Sequence, residues 1–176
     1  MLPRVLASLL ALLGAAAIGL GVASATLWRP ADTLAATATV DGYLVTEPGV
    51  LDLAADEVTL TATGAGPVVI ALGRTSEIEA WLAGDEASRV SGLTSRTELT
   101  VQAAAEPVTD LTDPRGSDLW IEEVEGAGSA TLRWERVEGR WSVMGAAPQS
   151  GTVTQEMVWP QVEPTPWFQP ALVVGE

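Results

Sequence analysis

The sequence predicts a mainly β protein: an antiparallel β-sandwich with one short helix, preceded by a single N-terminal transmembrane helix. Three observations carry that prediction. From Val5 to Leu27 no residue is charged. From Leu34 onward the chain breaks into short alternating runs rich in β-branched residues, separated by Gly, Pro and Asp clusters. One helix-capping pattern, Ser76 to Glu79, interrupts those runs.

The uncharged run of 23 residues would be about 34 Å long as a helix, against about 30 Å for a bilayer's hydrocarbon core. Arg4 before it sets a cytoplasmic N-terminus, because positive charge near a span resists translocation. Trp28 suits the far headgroup region, where an indole keeps its ring apolar and its N–H wet. The rival reading is a signal peptide cleaved after Ala23-Ser24-Ala25, with Thr26 as the new first residue. An h-region of about 7–15 residues is usual, and this run exceeds it, which favours a retained anchor. Both readings place residues from 30 onward outside the cytoplasm, at the cell membrane. Ala7, Ala11, Ala15, Gly19 and Ala23 form a small-residue ridge that would admit a second transmembrane helix. The bilayer, through residues 5–27, is thus the first expected partner.

The remaining length fits one domain with a single core. The chain carries a net charge of −14, and all 23 acidic residues follow the apolar run. Such a surface repels phosphate backbones, which excludes nucleic acid as a partner. The sequence has no Cys, His, Lys or Asn. Ordinary zinc, copper, haem and iron–sulfur sites need Cys or His, so none is expected, nor any other cofactor. Ser-His-Asp and Cys-His nucleophile systems are excluded on the same ground. Disulfides are impossible, so stability has to come from the core.

Expected strands are Leu34–Val40, Tyr43–Thr46, Glu57–Thr63, Pro67–Leu72, Thr97–Ala103, Leu119–Val124, Ser129–Val137, Arg140–Gly145 and Thr152–Trp159. Many short strands with regular turn signals point to a sandwich. In Glu57–Thr63, Val58, Leu60 and Ala62 alternate onto one face, the pattern of a half-buried strand. Glu138-Gly139 lies between two alternating runs and predicts a two-residue hairpin, Gly supplying the positive φ. Ser76 as N-cap and Glu79 as its return partner predict a helix over residues 77–83, with Gly84 closing it. Glu106–Ser117 reads as a long loop. The domain plan is therefore an anchor over 1–29, an extracytoplasmic sandwich over 30–159, and a Pro-rich linker over 160–176. That last stretch ends in Trp167-Phe168 and a short apolar run, and is expected to be the start of a truncated second membrane segment.

The order of these parts resembles a group of uncharacterised two-pass membrane proteins of actinobacteria. The resemblance rests on Trp28–Asp32 (W-[RK]-P-x-D after the span), Glu47–Leu53, Val68–Gly84, Gly116–Trp134 and Glu138–Met144. It implies a jelly-roll-like sandwich outside the cell and no activity. The missing second span is the departure from the pattern.

Four sets of residues are candidate sites. Asp110, Asp113 and Asp118 in one loop could wrap Ca²⁺, which takes oxygen ligands, although the spacing is not that of an EF-hand and suits ordinary turns. Glu122, Glu123 and Glu125 supply carboxylates, but alternation separates Glu122 from Glu123, against a glycosidase pair. Trp81, Trp120, Trp134, Trp141 and Trp159 could stack on sugars; Trp120 and Trp159 are the first candidates, with core filling as the plainer role. Arg74 and Arg89 flank the helix and could hold an anion, or form structural ion pairs. The function expected is a membrane-anchored structural or protein-interaction role without catalysis. The alternative is a surface module that binds carbohydrate or Ca²⁺.

Overall fold

The computed structural model describes residues 33–105 and 111–161. They form eight strands and one helix: β1 Thr33–Asp41, β2 Leu44–Thr46, β3 Glu57–Arg74, α1 Thr75–Leu82, β4 Ser88–Ser95, β5 Glu98–Gln102, β6 Glu122–Glu135, β7 Trp141–Ala146 and β8 Thr152–Pro160. The mainly β class with one short helix is as the patterning predicts. The sandwich is not.

The strands run β3-β7-β2-β4-β5-β1-β8 and return to β3, closing a barrel of seven strands, with β6 paired along β3. The sheet is also not purely antiparallel, since β1–β5 and β2–β4 are parallel pairs. The jelly-roll-like sandwich is thereby corrected to a closed barrel.

The cause of closure lies in β3. Its N-terminal half pairs with β8 at Thr59–Thr63, and its C-terminal half pairs with β7 at Val69–Arg74. Fully extended, 18 residues would reach about 60 Å. Yet the Arg136 N–H reaches the Asp56 carbonyl at 2.7 Å, and the Thr75 N–H reaches the Arg140 carbonyl at 3.1 Å. The segment 136–140 spans less than about 20 Å, so the two ends of β3 lie near each other and the strand folds over in its middle. The fold-over is at Gly64–Gly66, where the pairing with β6 slips between Thr63 and Pro67. A Cβ on Gly64 would crowd Ala147, and one on Gly126 in β6 would overlap the Ser129 carbonyl oxygen. Glycine is what lets the ribbon turn this corner.

This corner also explains two places where the strands differ from the sequence pattern. Glu57–Thr63 and Pro67–Leu72 were expected as separate strands, because Gly and Pro between them read as a turn. They are one bent strand. Ser129–Val137 and the end of Leu119–Val124 likewise merge into β6. The Glu138-Gly139 hairpin does not form: β6 and β7 both pair with β3, on opposite edges. Gly139 does take a positive φ of 129°, so the residue's use is as expected while its partners are not. Strand β4 was missed, its polar sequence SRVSGLTS carrying only a weak alternation.

The main core cluster takes Val58, Leu60, Ile70, Met157 and Trp159 from the ring and Leu132 and Trp134 from β6, among others. The segment after β2 adds Val50 and Leu51, and Trp159 donates to the Leu51 carbonyl at 2.9 Å. A second cluster covers the outside of β2, β7 and β3, where Val45, Met144 and Ala71 stand side by side. Helix α1 lays Ile78 and Leu82 on it. Eight residues do not hold a helix alone in water; each of these buried side chains contributes about 2 kcal/mol to keeping it. The helix begins earlier than the capping pattern suggested. Arg74 is the N-cap residue, its N–H bonded to Glu77 Oε2 at 3.0 Å, and Ala83 ends the helix with a left-handed φ of 49°. Glu77, not Glu79, returns to the cap.

Among the described residues no helix is long and apolar enough to cross a membrane. The expected anchor at 5–27, the Trp28–Asp32 motif and the segment from 162 lie outside the described residues, as does Asp110.

Candidate functional site

The sparsest pairing in the barrel is between β1 and β5. β1 and β5 share a single residue pair, Thr37 with Glu98, supported by the Thr37 N–H to the Thr97 carbonyl at 3.1 Å. The other edges of these strands are fully engaged: β1 pairs with β8 from Thr33 to Asp41, and β5 pairs with β4 from Glu98 to Gln102. Past the one bridge, residues 38–39 and 99–101 line a groove of about 610 Å³ without ladder bonds across it. Thr37, Thr39, Thr94, Thr97 and Thr100 line it, with Leu99 at its base. Some hydroxyls bond to one another or to the next strand: Thr94 to Thr100 at 2.9 Å and Thr39 to Thr154 at 2.8 Å. The groove therefore offers donors and acceptors from threonine hydroxyls and from two strand edges, with the Glu98 carboxylate beside them. Unpaired strand edges bind extended chains.

Alternation in β1 (TLAATATVD) marks its outward threonines. The joint itself is a pairing between strands far apart in sequence, which no local pattern shows.

A second feature lies over the outer cluster. Tyr43 is fully buried there, and its hydroxyl donates to the Thr112 carbonyl at 2.9 Å. Burial pushes the phenol above its ordinary value of 10.0. Trp81 meets Tyr43 edge-on at a centroid distance of 5.6 Å, and Trp120 lies 5.6 Å from Trp81 at a 51° tilt. Trp120 is half-buried and donates to the Pro114 carbonyl at 2.7 Å. Together these rings pin the loop at 111–120 onto the barrel.

The predicted site residues part company here. Trp159 is wholly inside the barrel, so it offers no platform for a sugar. Trp134 is buried too, and Trp141 is half-buried beneath the Arg74 guanidinium, 4.2 Å from its ring centre. Trp81 and Trp120 retain partly open faces. Arg89 forms a two-pronged ion pair with Glu79 at 2.5 and 2.9 Å.

The loop acids are engaged rather than gathered. Asp113 is gripped by the Arg115 guanidinium, which also reaches Glu125 at 3.4 Å. Glu123 accepts the Gly116 N–H at 2.9 Å. Asp118 is exposed. Among the described residues no group of three acidic side chains could hold a metal ion. The Arg115 guanidinium holds the Asp113 carboxyl below its ordinary value, and Arg89 does the same to Glu79. A carboxyl serving as a general acid needs the opposite shift.

Comparison with protein-family models, with curated proteins and with solved structures finds no match.

Proposed function

We propose that this chain is a membrane-anchored extracytoplasmic protein whose barrel serves as an interaction module without catalysis. The topology rests on the apolar run at 5–27, Arg4 and Trp28, and the kinship proposed is with the two-pass actinobacterial group. The observation that carries the interaction role is the β1–β5 groove, with its threonines and free strand edges. The lack of His, Lys and Cys, which removes the common proton shuttles and activated nucleophiles, supports the non-catalytic part.

A photo-cross-linking residue at Thr100, in membranes from the native cell, is expected to form a discrete adduct. The same residue at exposed Ala80 on α1 is expected not to. Equal adducts at both positions, or a hydrolytic activity abolished by one Asp or Glu substitution, would refute the proposal. Because the chain has no cysteine, Thr100→Cys also reports topology: an impermeant maleimide should label it in intact cells.

One observation favours a second reading. The partly open Trp81–Trp120 pair could stack on a sugar ring, a contact worth about 1 kcal/mol. A saturable change in tryptophan emission with a glycan, lost in Trp120→Ala, would support it.

A further inference from the structure

β6 is the one strand that the seven-stranded ring leaves over. It pairs with β3 along one edge; among the described residues the other edge of this 14-residue strand has no strand beside it. Open edges are normally blunted with charge. β6 carries charge, unevenly placed. Glu122, Glu123 and Glu125 precede the Gly126–Gly128 corner, whereas Arg133 and Glu135 follow it and Arg136 lies just beyond the strand. Three large apolar side chains are exposed among the described residues: Leu53 at 46%, Ile121 at 64% and Val137 at 54%. Ile121 immediately precedes β6, and Val137 closely follows it.

Such a strand is complementary to itself when reversed. We propose that a second copy of this chain docks edge to edge on β6, antiparallel, about a two-fold axis at the corner. Ile121 then lies beside Val137 of the partner subunit, Glu122 beside Arg136 of the partner subunit, and Glu125 beside Arg133 of the partner subunit. Each contact occurs twice, as an isologous interface requires. The axis falls at Ser129, next to the bend. A two-fold along the bisector of a folded strand lays the first arm of one copy against the second arm of the other, so the bend does not obstruct the pairing.

The present partners of the arginines do not forbid it. Arg133 holds Glu57 at 2.6 Å, and Arg136 holds Asp52 and Asp56 at 3.3 and 3.0 Å, with both arginines more than half exposed. A guanidinium has five N–H donors, enough to take a further carboxylate. One kind of like-charge contact results, also twice: Glu123 with Glu135 of the partner subunit. Glu123 already takes a bond from the Gly116 N–H.

The absence of native cysteine makes the test clean. On the axis, Ser129 of each copy would place its Cα about 5 Å from its counterpart, within disulfide reach. The full chain in detergent micelles is expected to have a protein mass about twice its 18.3 kDa. Under mild oxidation Ser129→Cys should form disulfide-linked dimer at least about tenfold faster than Ala80→Cys. Glu125→Arg should slow that cross-linking about tenfold, and adding Arg133→Glu should restore it. Equal rates at 129 and 80, or indifference to charge reversal, would overturn the proposal; association through residues 5–27 alone would give that result. Should Ser129→Cys fail to fold, the protein mass of Glu125→Arg against the double charge swap decides the matter: monomer then dimer supports it, and no change overturns it.

Discussion

Gly126 occupies the tightest point of the barrel. Any side chain there would overlap the Ser129 carbonyl oxygen, a backbone atom that cannot swing aside. Gly126→Ala is expected to cost about 3 kcal/mol or more, since the bend must open to admit it. Gly92 has open space where its Cβ would be, so Gly92→Ala should stay within about 0.5 kcal/mol of the parent. Denaturant midpoints of the two variants check the contrast. Tyr43 gives a second residue-level prediction. It is the chain's only tyrosine, so tyrosinate absorbance reports it alone. With its folded pKa above the ordinary 10.0, the protonated phenol is favoured by folding. That stabilising contribution is present below pH 10 and is lost as pH rises through the folded value. An alkaline titration should show Tyr43 ionising above 10, and Tyr43→Phe should remove the alkaline loss of stability. Neither residue's role could be read locally. Gly126 is one glycine among 17, and Tyr43 acts through a carbonyl 69 positions away.

At the scale of elements, the sequence was legible where burial is one-sided. β1, β2, β5, β7 and β8 lie within a residue or two of their expected bounds: alternation marks β1, β5 and β8, while β2 and β7, buried on both faces, are bounded by the Gly and Pro residues that flank them. α1 was legible from Ile78 and Leu82, although its cap was misplaced; Ser76 and Glu79 fit the capping pattern, but Arg74 and Glu77 occupy the positions. The bent strands were not legible, since a glycine corner and a glycine turn look alike in sequence. Among the site residues, the ion-pair reading of Arg89 agrees with its grip on Glu79. The loop between 111 and 120 is held by Tyr43, Trp120 and Arg115, none of which the local pattern brings together. The Glu79–Arg89 pair is partly exposed, so it should contribute less than about 1 kcal/mol. Arg89 lowers the Glu79 pKa below its ordinary 4.5. That small contribution is present above pH 4.5 and is lost as pH falls through the folded value. Thermal melts of Glu79→Gln should match those of the parent at low pH and fall slightly below them at neutral pH.

For the whole molecule, the difference between a sandwich and a barrel depends on two contacts, β3 with β8 and the single β1–β5 pair. Periodicity tells which residues face inward and cannot tell whether the two ends of a sheet meet, which is why the mainly β content is legible in the sequence and the closed barrel is not. Closure has two consequences. It leaves β6 outside the ring with an open edge, and it leaves the ring joined at β1–β5 by a single pair. Both surfaces proposed for binding are products of that closure. It can be tested directly. Thr61 in β3 and Glu156 in β8 are opposite one another in register, near the surface. The doubly substituted Thr61→Cys, Glu156→Cys chain, oxidised and examined by non-reducing peptide mass spectrometry, should contain an intramolecular disulfide between these positions. Two free thiols in the folded, oxidised protein would contradict the closed barrel.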